Sequence, residues 1–150
     1  IGSQQLREWS VQYVCDAAPF TWFKIDTLAE ASEESRLMNH AVEKFFKRAY
    51  EAAAECYEPP ASAAVFEQNI GLKAHIERVM QIFVTLRDSD GKAHVTAMLP
   101  PKGMDEDDMR PIIVGIENSD PYVEYEDAID QLADHYELIL DRDRCFPYAR

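Results

Sequence analysis

The sequence is poor in the residues that build phosphate sites and disulfide frameworks. It holds only five glycines and contains neither a GxGxxG nor a Walker A motif, so nucleotide binding through a glycine-rich loop is unsupported. Its three cysteines, Cys15, Cys56 and Cys145, are widely spaced and form no CxxC pair. This pattern argues against a secreted disulfide scaffold and predicts a cytoplasmic protein whose cysteines are buried small hydrophobic residues.

The motifs of metal, nucleophile and membrane chemistry are also missing. No HExxH, ExxH or CxxC pattern occurs, and no GxSxG elbow, so we predict no metal site and no cofactor and assign no catalytic residue. No apolar run approaches the roughly 18 residues of a membrane span, and no basic-then-apolar leader opens the chain. We therefore expect no membrane association.

Negative charge is in excess, and it is unevenly distributed. The formal net charge is -13, and residues 101–150 hold fourteen Asp and Glu against five Lys and Arg. A field of this sign repels nucleic acid and anionic membranes and favours a basic partner.

The composition predicts one globular domain over residues 1–150. The apolar share is 47% and the aromatic share 11%, which fits a folded core and not a disordered acidic segment. Because the chain opens at Ile1, excision from a longer chain stays open.

Two strands are expected at the N-terminal end. Residues 9–15 alternate apolar and polar, residues 16–19 have turn composition, and residues 20–25 are rich in aromatic residues, so a hairpin is predicted. Its five aromatic side chains either belong to the core or form an exposed patch for a partner or apolar ligand: Trp9, Tyr13, Phe20, Trp22 and Phe23.

One long helix is expected over residues 27–57. Thr27 and Glu30 have the spacing of a capping box, and Glu33 and Glu34 add negative charge near the helix N-terminus, which the helix dipole favours. Apolar residues then recur every three or four positions until Pro59.

The remaining elements complete the predicted fold. Residues 61–80 fit either helix or strand. Residues 81–87 and 92–99 flank the turn sequence at 88–91 and predict a second hairpin, residues 111–116 a buried strand, and residues 122–140 an amphipathic helix. The inner face of that helix is assigned to Tyr125, Ala128, Ile129, Leu132, Tyr136 and Ile139. We therefore predict an α+β fold, with a mainly antiparallel sheet of two hairpins plus one further strand. It packs against a long amphipathic helix and an acidic C-terminal helix.

These features favour a protein that binds another protein, of the inhibitor, immunity, adaptor or chaperone type. The predicted partner is basic, homo-oligomerisation stays possible, and the acidic residues expected to contact the partner are Asp105, Glu106, Asp107, Asp108, Glu124, Asp127, Asp130 and Asp134. The alternative is a small-molecule-binding domain or enzyme with an apolar pocket between the sheet and the long helix, near Trp22, Tyr50, His75 and His94. A structural subunit of a larger assembly is a third possibility.

The closing pentapeptide at residues 146–150, Phe-Pro-Tyr-Ala-Arg, is similar to one in bacterial export chaperones, which are also small acidic α+β proteins. The resemblance covers these five residues and assigns no family.

Overall fold

A five-stranded antiparallel sheet lies at the centre of the protein. This computed structural model describes residues 12–59, 61, 64–105 and 109–145. Within them the strands run in chain order, each antiparallel to the next: β1 (Tyr13–Ala17), β2 (Phe20–Ile25), β3 (Ile82–Arg87), β4 (Ala93–Leu99) and β5 (Ile112–Gly115). The helices are α1 (Leu28–Met38), α2 (Val42–Glu55), α3 (Val65–Val79), α4 (Tyr122–Tyr136) and the short α5 (Arg142–Cys145), with a 3₁₀ turn at Ile116–Asn118. The predicted α+β fold is confirmed.

Helices cover both faces of the sheet. Because successive strand side chains point to opposite faces, Trp22 of β2 packs in the core against α4, whereas its neighbour Phe23 packs in the core against α1, α2 and α3. The side chains of β3 alternate in the same way, with Val84 and Leu86 on the α4 side of the sheet and Phe83 on the other side.

The predicted long helix is wrong, because it is broken after Met38. The predicted capping box at Thr27 and Glu30 does form and begins α1. Asn39 then adopts the left-handed conformation (φ 52°, ψ 56°) and caps α1 by donating its backbone N–H to the carbonyl of Ser35, a conformation that Asn tolerates better than most residues. The break allows α1 and α2 to cover different parts of one sheet face.

Residues 65–79, which the sequence left open, form helix α3. Gly71 lies in the middle of this helix and does not end it. A Cβ at position 71 would lie 2.1 Å from the hydroxyl oxygen of Tyr57, so the glycine lets the Tyr57 ring pack closely against α3.

Both predicted hairpins are present. β1 ends later than expected, because Asp16 and Ala17 belong to the strand and the turn lies at the cis Ala18–Pro19 peptide. Positions 9–11 of the predicted strand lie outside the described residues. The second hairpin turns at 88–91, where Gly91 has a φ of +82°, which favours glycine.

The last long helix ends earlier than predicted. Glu137 takes the left-handed conformation and caps α4 after Tyr136, so Ile139 lies outside the helix and its side chain is 53% exposed. The expectation of buried cysteines holds for Cys145 and fails for Cys56, which is exposed. Trp9 and the pentapeptide at 146–150 lie outside the described residues.

Candidate functional site

Helix α4 is held firmly against the sheet by its inner face. Ala128, Ile129 and Leu132 are buried there, as predicted. The indole N–H of Trp22 donates a 2.8 Å hydrogen bond to the carbonyl of Ala128. At the start of the helix, Asp120 accepts the backbone N–H of Tyr122. The outer face is therefore fixed in orientation by the contacts on the inner one.

The outer face of α4 is an acidic stripe, which we define as Glu126, Asp127, Asp130, Asp134 and Glu137. At about 100° per residue these positions fall within an arc of roughly 100° opposite the core, and they span about 16 Å of helix. All five side chains are exposed, and so is Glu124 beside them. In the part of the chain that the structure describes, no Lys or Arg lies within ion-pair distance of any of the six.

The acidic stripe differs from the other exposed helix surfaces. Helix α2 mixes both signs on its outer face, with Glu43, Lys44, Lys47 and Glu51 exposed together, the arrangement that stabilises a solvated helix through i,i+4 pairs. Helix α4 contains no Lys or Arg. Its Asp130 and Asp134 are a like-charge i,i+4 pair near the negative end of the helix dipole, which is unfavourable for stability.

Val123 adds an apolar side chain to this surface. It is 87% exposed and lies at the first turn of α4, one helical turn before Glu126 and Asp127. A single exposed apolar side chain is ordinary on a protein surface, so the charges, and not Val123, distinguish this face.

A recess lies between the acidic stripe and the edge of the sheet. It has a volume of about 520 Å³ and is lined by Asp16, Ala17 and Ala18 of the first hairpin and by Asp127, Ala128, Asp130 and Gln131 of α4. Asp16 comes from a strand more than one hundred residues away in sequence, and no local pattern indicates that it lies beside α4.

The predicted partner-binding residues are placed only in part. Glu124, Asp127, Asp130 and Asp134 share one exposed surface, as expected from their helical spacing. Asp105 is exposed in the loop after β4, while positions 106–108 lie outside the described residues.

The four residues predicted to share an apolar pocket are not brought together. Trp22 is fully buried in the core against α4. His75 Nε2–H donates to the carbonyl of Ala53 at 3.1 Å, and its ring packs at an angle against that of Tyr57. His94 lies beside α4. Of the four residues, only Tyr50 lines a second cavity, which is larger than the recess.

That larger cavity is a groove of about 800 Å³ between the end of the sheet and helices α2 and α3. Its floor is apolar, with Ile25, Phe46, Leu72, Ile76 and Met80. Its rim carries charges of both signs, namely Lys24, Asp26, Lys47, Glu51, Lys73 and Glu77. The volume suits a small molecule, and the mixed rim gives no preference for an ionic class.

His94 bridges the second hairpin and α4. Its Nε2 lies 2.9 Å from a carboxylate oxygen of Asp88, and its Nδ1 lies 3.0 Å from the hydroxyl oxygen of Tyr125. A neutral ring satisfies both bonds, with Nε2–H donating to Asp88 and Nδ1 accepting from Tyr125. Burial opposes ionisation of Asp88. The hydrogen bonds from His94 and from the backbone N–H groups of Lys92 and Asp90 outweigh it and lower the pKa of Asp88.

This Asp88–His94–Tyr125 chain can pass a proton, but neither cavity described above includes any of the three residues. Phe20 packs against the rings of His94 and Tyr125, at centroid distances of 4.9 and 5.6 Å. These hydrogen bonds and ring contacts therefore link the hairpin turn to α4.

A second polar network is buried between α1 and the sheet. The guanidinium of Arg87 donates to a carboxylate oxygen of Glu34 at 2.6 Å, and the Thr96 hydroxyl donates to the other oxygen. His40 Nε2 donates in turn to Thr96 Oγ1 at 2.9 Å, since the hydroxyl proton is directed at Glu34. Burial lowers the pKa of His40, although the nearby Glu34 carboxylate opposes this.

The buried network was missed by the sequence prediction, which interpreted Glu34 only as negative charge near the N-terminus of a helix. The available signal was spacing, because Glu34 falls between Ala31 and Met38 on the buried face of α1. Thr96 is only 3% exposed, so its hydroxyl is out of reach of a substrate, and we assign the network a structural role.

Among the described residues, no group of three or more His, Cys, Asp or Glu side chains is placed to hold a metal ion. In the same part of the chain no helix is both long and apolar enough to span a membrane. The fold and surface define an α+β protein with one strongly acidic helix face. Comparison with protein-family models, curated proteins and solved structures finds no match for this chain.

Proposed function

We propose that this protein acts by binding a basic protein partner through the acidic stripe of α4. The observation that carries the proposal is a single-sign helix face. Five carboxylates and Glu124 are exposed there with no Lys or Arg within ion-pair distance among the described residues.

The cost in stability supports the same conclusion. Like charges at i,i+4 destabilise a helix by about 0.2–0.5 kcal/mol per pair, and negative charge at its C-terminal end adds to that. A face that served only solubility would do as well with mixed charges, as the outer face of α2 does. A single-sign face offers in return steering and selection of a partner of opposite charge.

The experiment is a pull-down from host lysate with three proteins, eluted by a salt step. The binding variant carries Asp127→Lys, Asp130→Lys and Asp134→Lys. The control carries Glu55→Lys, Glu58→Lys and Glu67→Lys, which change the net charge equally at exposed positions away from α4.

We expect the wild-type protein and the control to retain one stoichiometric basic protein that elutes at moderate salt, and the α4 variant to lose it. Equal capture by both variants would refute the acidic stripe as the binding surface, and so would the absence of any stoichiometric partner.

The second candidate is a small-molecule-binding domain, and the groove with its apolar floor favours it. Such a protein should show a rise in melting temperature with the right compound. A substitution in the groove, Leu72→Glu, should abolish that rise, while the triple α4 variant should leave it unchanged.

A further inference from the structure

Strand β1 is the more open of the two sheet edges. It pairs on one side with β2, and no described strand pairs with its other side. One of its five residues is buried, whereas three of the four residues of β5 at the opposite edge are buried.

Little on β1 blocks the pairing of another strand. Edge strands are commonly protected by Lys, Pro, a bulge or a covering element, because their unpaired backbone groups can bond another extended chain. β1 contains no Lys or Pro, and its irregularity lies near its start, between Tyr13 and Cys15. From Cys15 to Ala17 the register with β2 is regular.

The space beside this edge selects for positive charge. The recess runs along Asp16, Ala17 and Ala18 on one side and along Asp127 and Asp130 on the other. A side chain that projects from an added strand toward α4 would meet the carboxylates of Asp127 and Asp130. Within the described residues neither of the two has an ion-pair partner.

We infer that the edge of β1 takes an extended, Lys- or Arg-bearing segment of the basic partner as a sixth strand, with one of its cationic side chains in the recess. The inference rests on the proposed function and deepens it. Backbone hydrogen bonds would give affinity without sequence preference, and the recess would select Lys or Arg at alternate positions, since strand side chains repeat every two residues.

The test uses a synthetic peptide probe of alternating Arg and Thr residues with a fluorophore at its N-terminus, titrated with the full chain and followed by anisotropy. Two further peptides have the same sequence but carry N-methyl groups on the backbone nitrogens of the odd or the even residues. Methylation keeps the charge and the side chains and removes the donors along one edge of the peptide.

We expect the unmodified peptide to bind and at least one methylated peptide to bind about tenfold more weakly or worse, because its backbone can no longer donate hydrogen bonds to the carbonyl groups of β1. Asp127→Lys, which reverses a charge in the recess, should strongly weaken binding of the unmodified peptide. Asp90→Lys, at an exposed turn position outside the recess, should have a small effect.

Equal binding of all three peptides would overturn strand addition and leave the electrostatic proposal standing, since charge alone would then explain the affinity. No binding of any peptide would overturn the inference, whereas the lysate experiment decides the proposed function separately. In a bound state of the expected kind, the amide of Asp16 should also become protected from hydrogen exchange.

Discussion

Glu34 and Arg87 form an ion pair across 53 positions of sequence, with an N–O distance of 2.6 Å and side chains that are 0% and 3% exposed. Arg87 also donates to the hydroxyl of Thr85 and to the carbonyl of Gly91. The pair therefore joins α1, β3 and the turn of the second hairpin.

Arg87→Met should lower the free energy of unfolding by about 3–5 kcal/mol, because it leaves the Glu34 carboxylate buried without its cation. Urea unfolding gives the value. The double variant Glu34→Met/Arg87→Met should recover most of the loss. Arg36→Met, which breaks the exposed pair between Arg36 and Glu33, should have a much smaller effect. A small loss for Arg87→Met alone would contradict the assigned role.

Stability should fall on acidification because of His40. Burial lowers its pKa in the folded protein, so below a pH of about 6.5 the unfolded chain takes up the proton first and the folded state loses stability. The contribution of this one group cannot exceed about 1.4 kcal/mol per pH unit.

The measurement compares the free energy of unfolding of the wild-type protein and His40→Gln between pH 7.5 and 5.5. The wild-type protein should lose more stability over this interval. Identical slopes would show that His40 is not held in its neutral form by the fold.

Neutralising the acidic stripe near the end of α4 should stabilise the protein while weakening partner binding. Asp130→Asn together with Asp134→Asn removes a like-charge pair and two negative charges from the C-terminal half of the helix. We expect a gain of several tenths of a kcal/mol that shrinks with added salt. Glu124→Gln should instead lower the stability of the protein, because Glu124 lies in the first turn of the helix, where negative charge is favourable. Melting temperatures of both variants at low and high salt test these opposite changes in stability.

The break between α1 and α2 should depend on residue 39. Asn39→Gly should be near neutral or slightly stabilising, since glycine adopts the left-handed conformation freely. Asn39→Ala should cost about 1 kcal/mol, because Ala lacks the short polar side chain that helps Asn to adopt that conformation. Both variants lose the contact of Asn39 with Glu117, so the difference in stability between them isolates the effect of the backbone conformation. Equal urea midpoints of the two variants would contradict this role of residue 39.

The acidic face of α4 could be read from the sequence because its determinants are local. Carboxylates at helical spacing, opposite an apolar stripe, fix which side faces water once the helix docks. The capping box at Thr27 and the turn before Gly91 were predictable for the same reason, since neighbouring residues alone set their geometry.

The break at Asn39 was not predictable in this way. Apolar residues continue at helical spacing through positions 38, 41 and 42, so the local pattern favours one helix. The broken arrangement buries Met38 and Val42 on two separate helices, and this burial outweighs the continuity of the pattern.

The sequence by itself determined the strand pairs of the two hairpins, the amphipathic character of α4 and the sign of its exposed face, because each depends on residues close together in the chain. Only the tertiary structure decided that Glu34 and Arg87 meet in the interior, and that β1 is an edge of the sheet among the described residues. It alone also placed Asp16 beside Asp127 and Asp130. These relationships join residues 50 to more than 100 positions apart, and they arise from how helices and strands pack to bury both faces of one sheet.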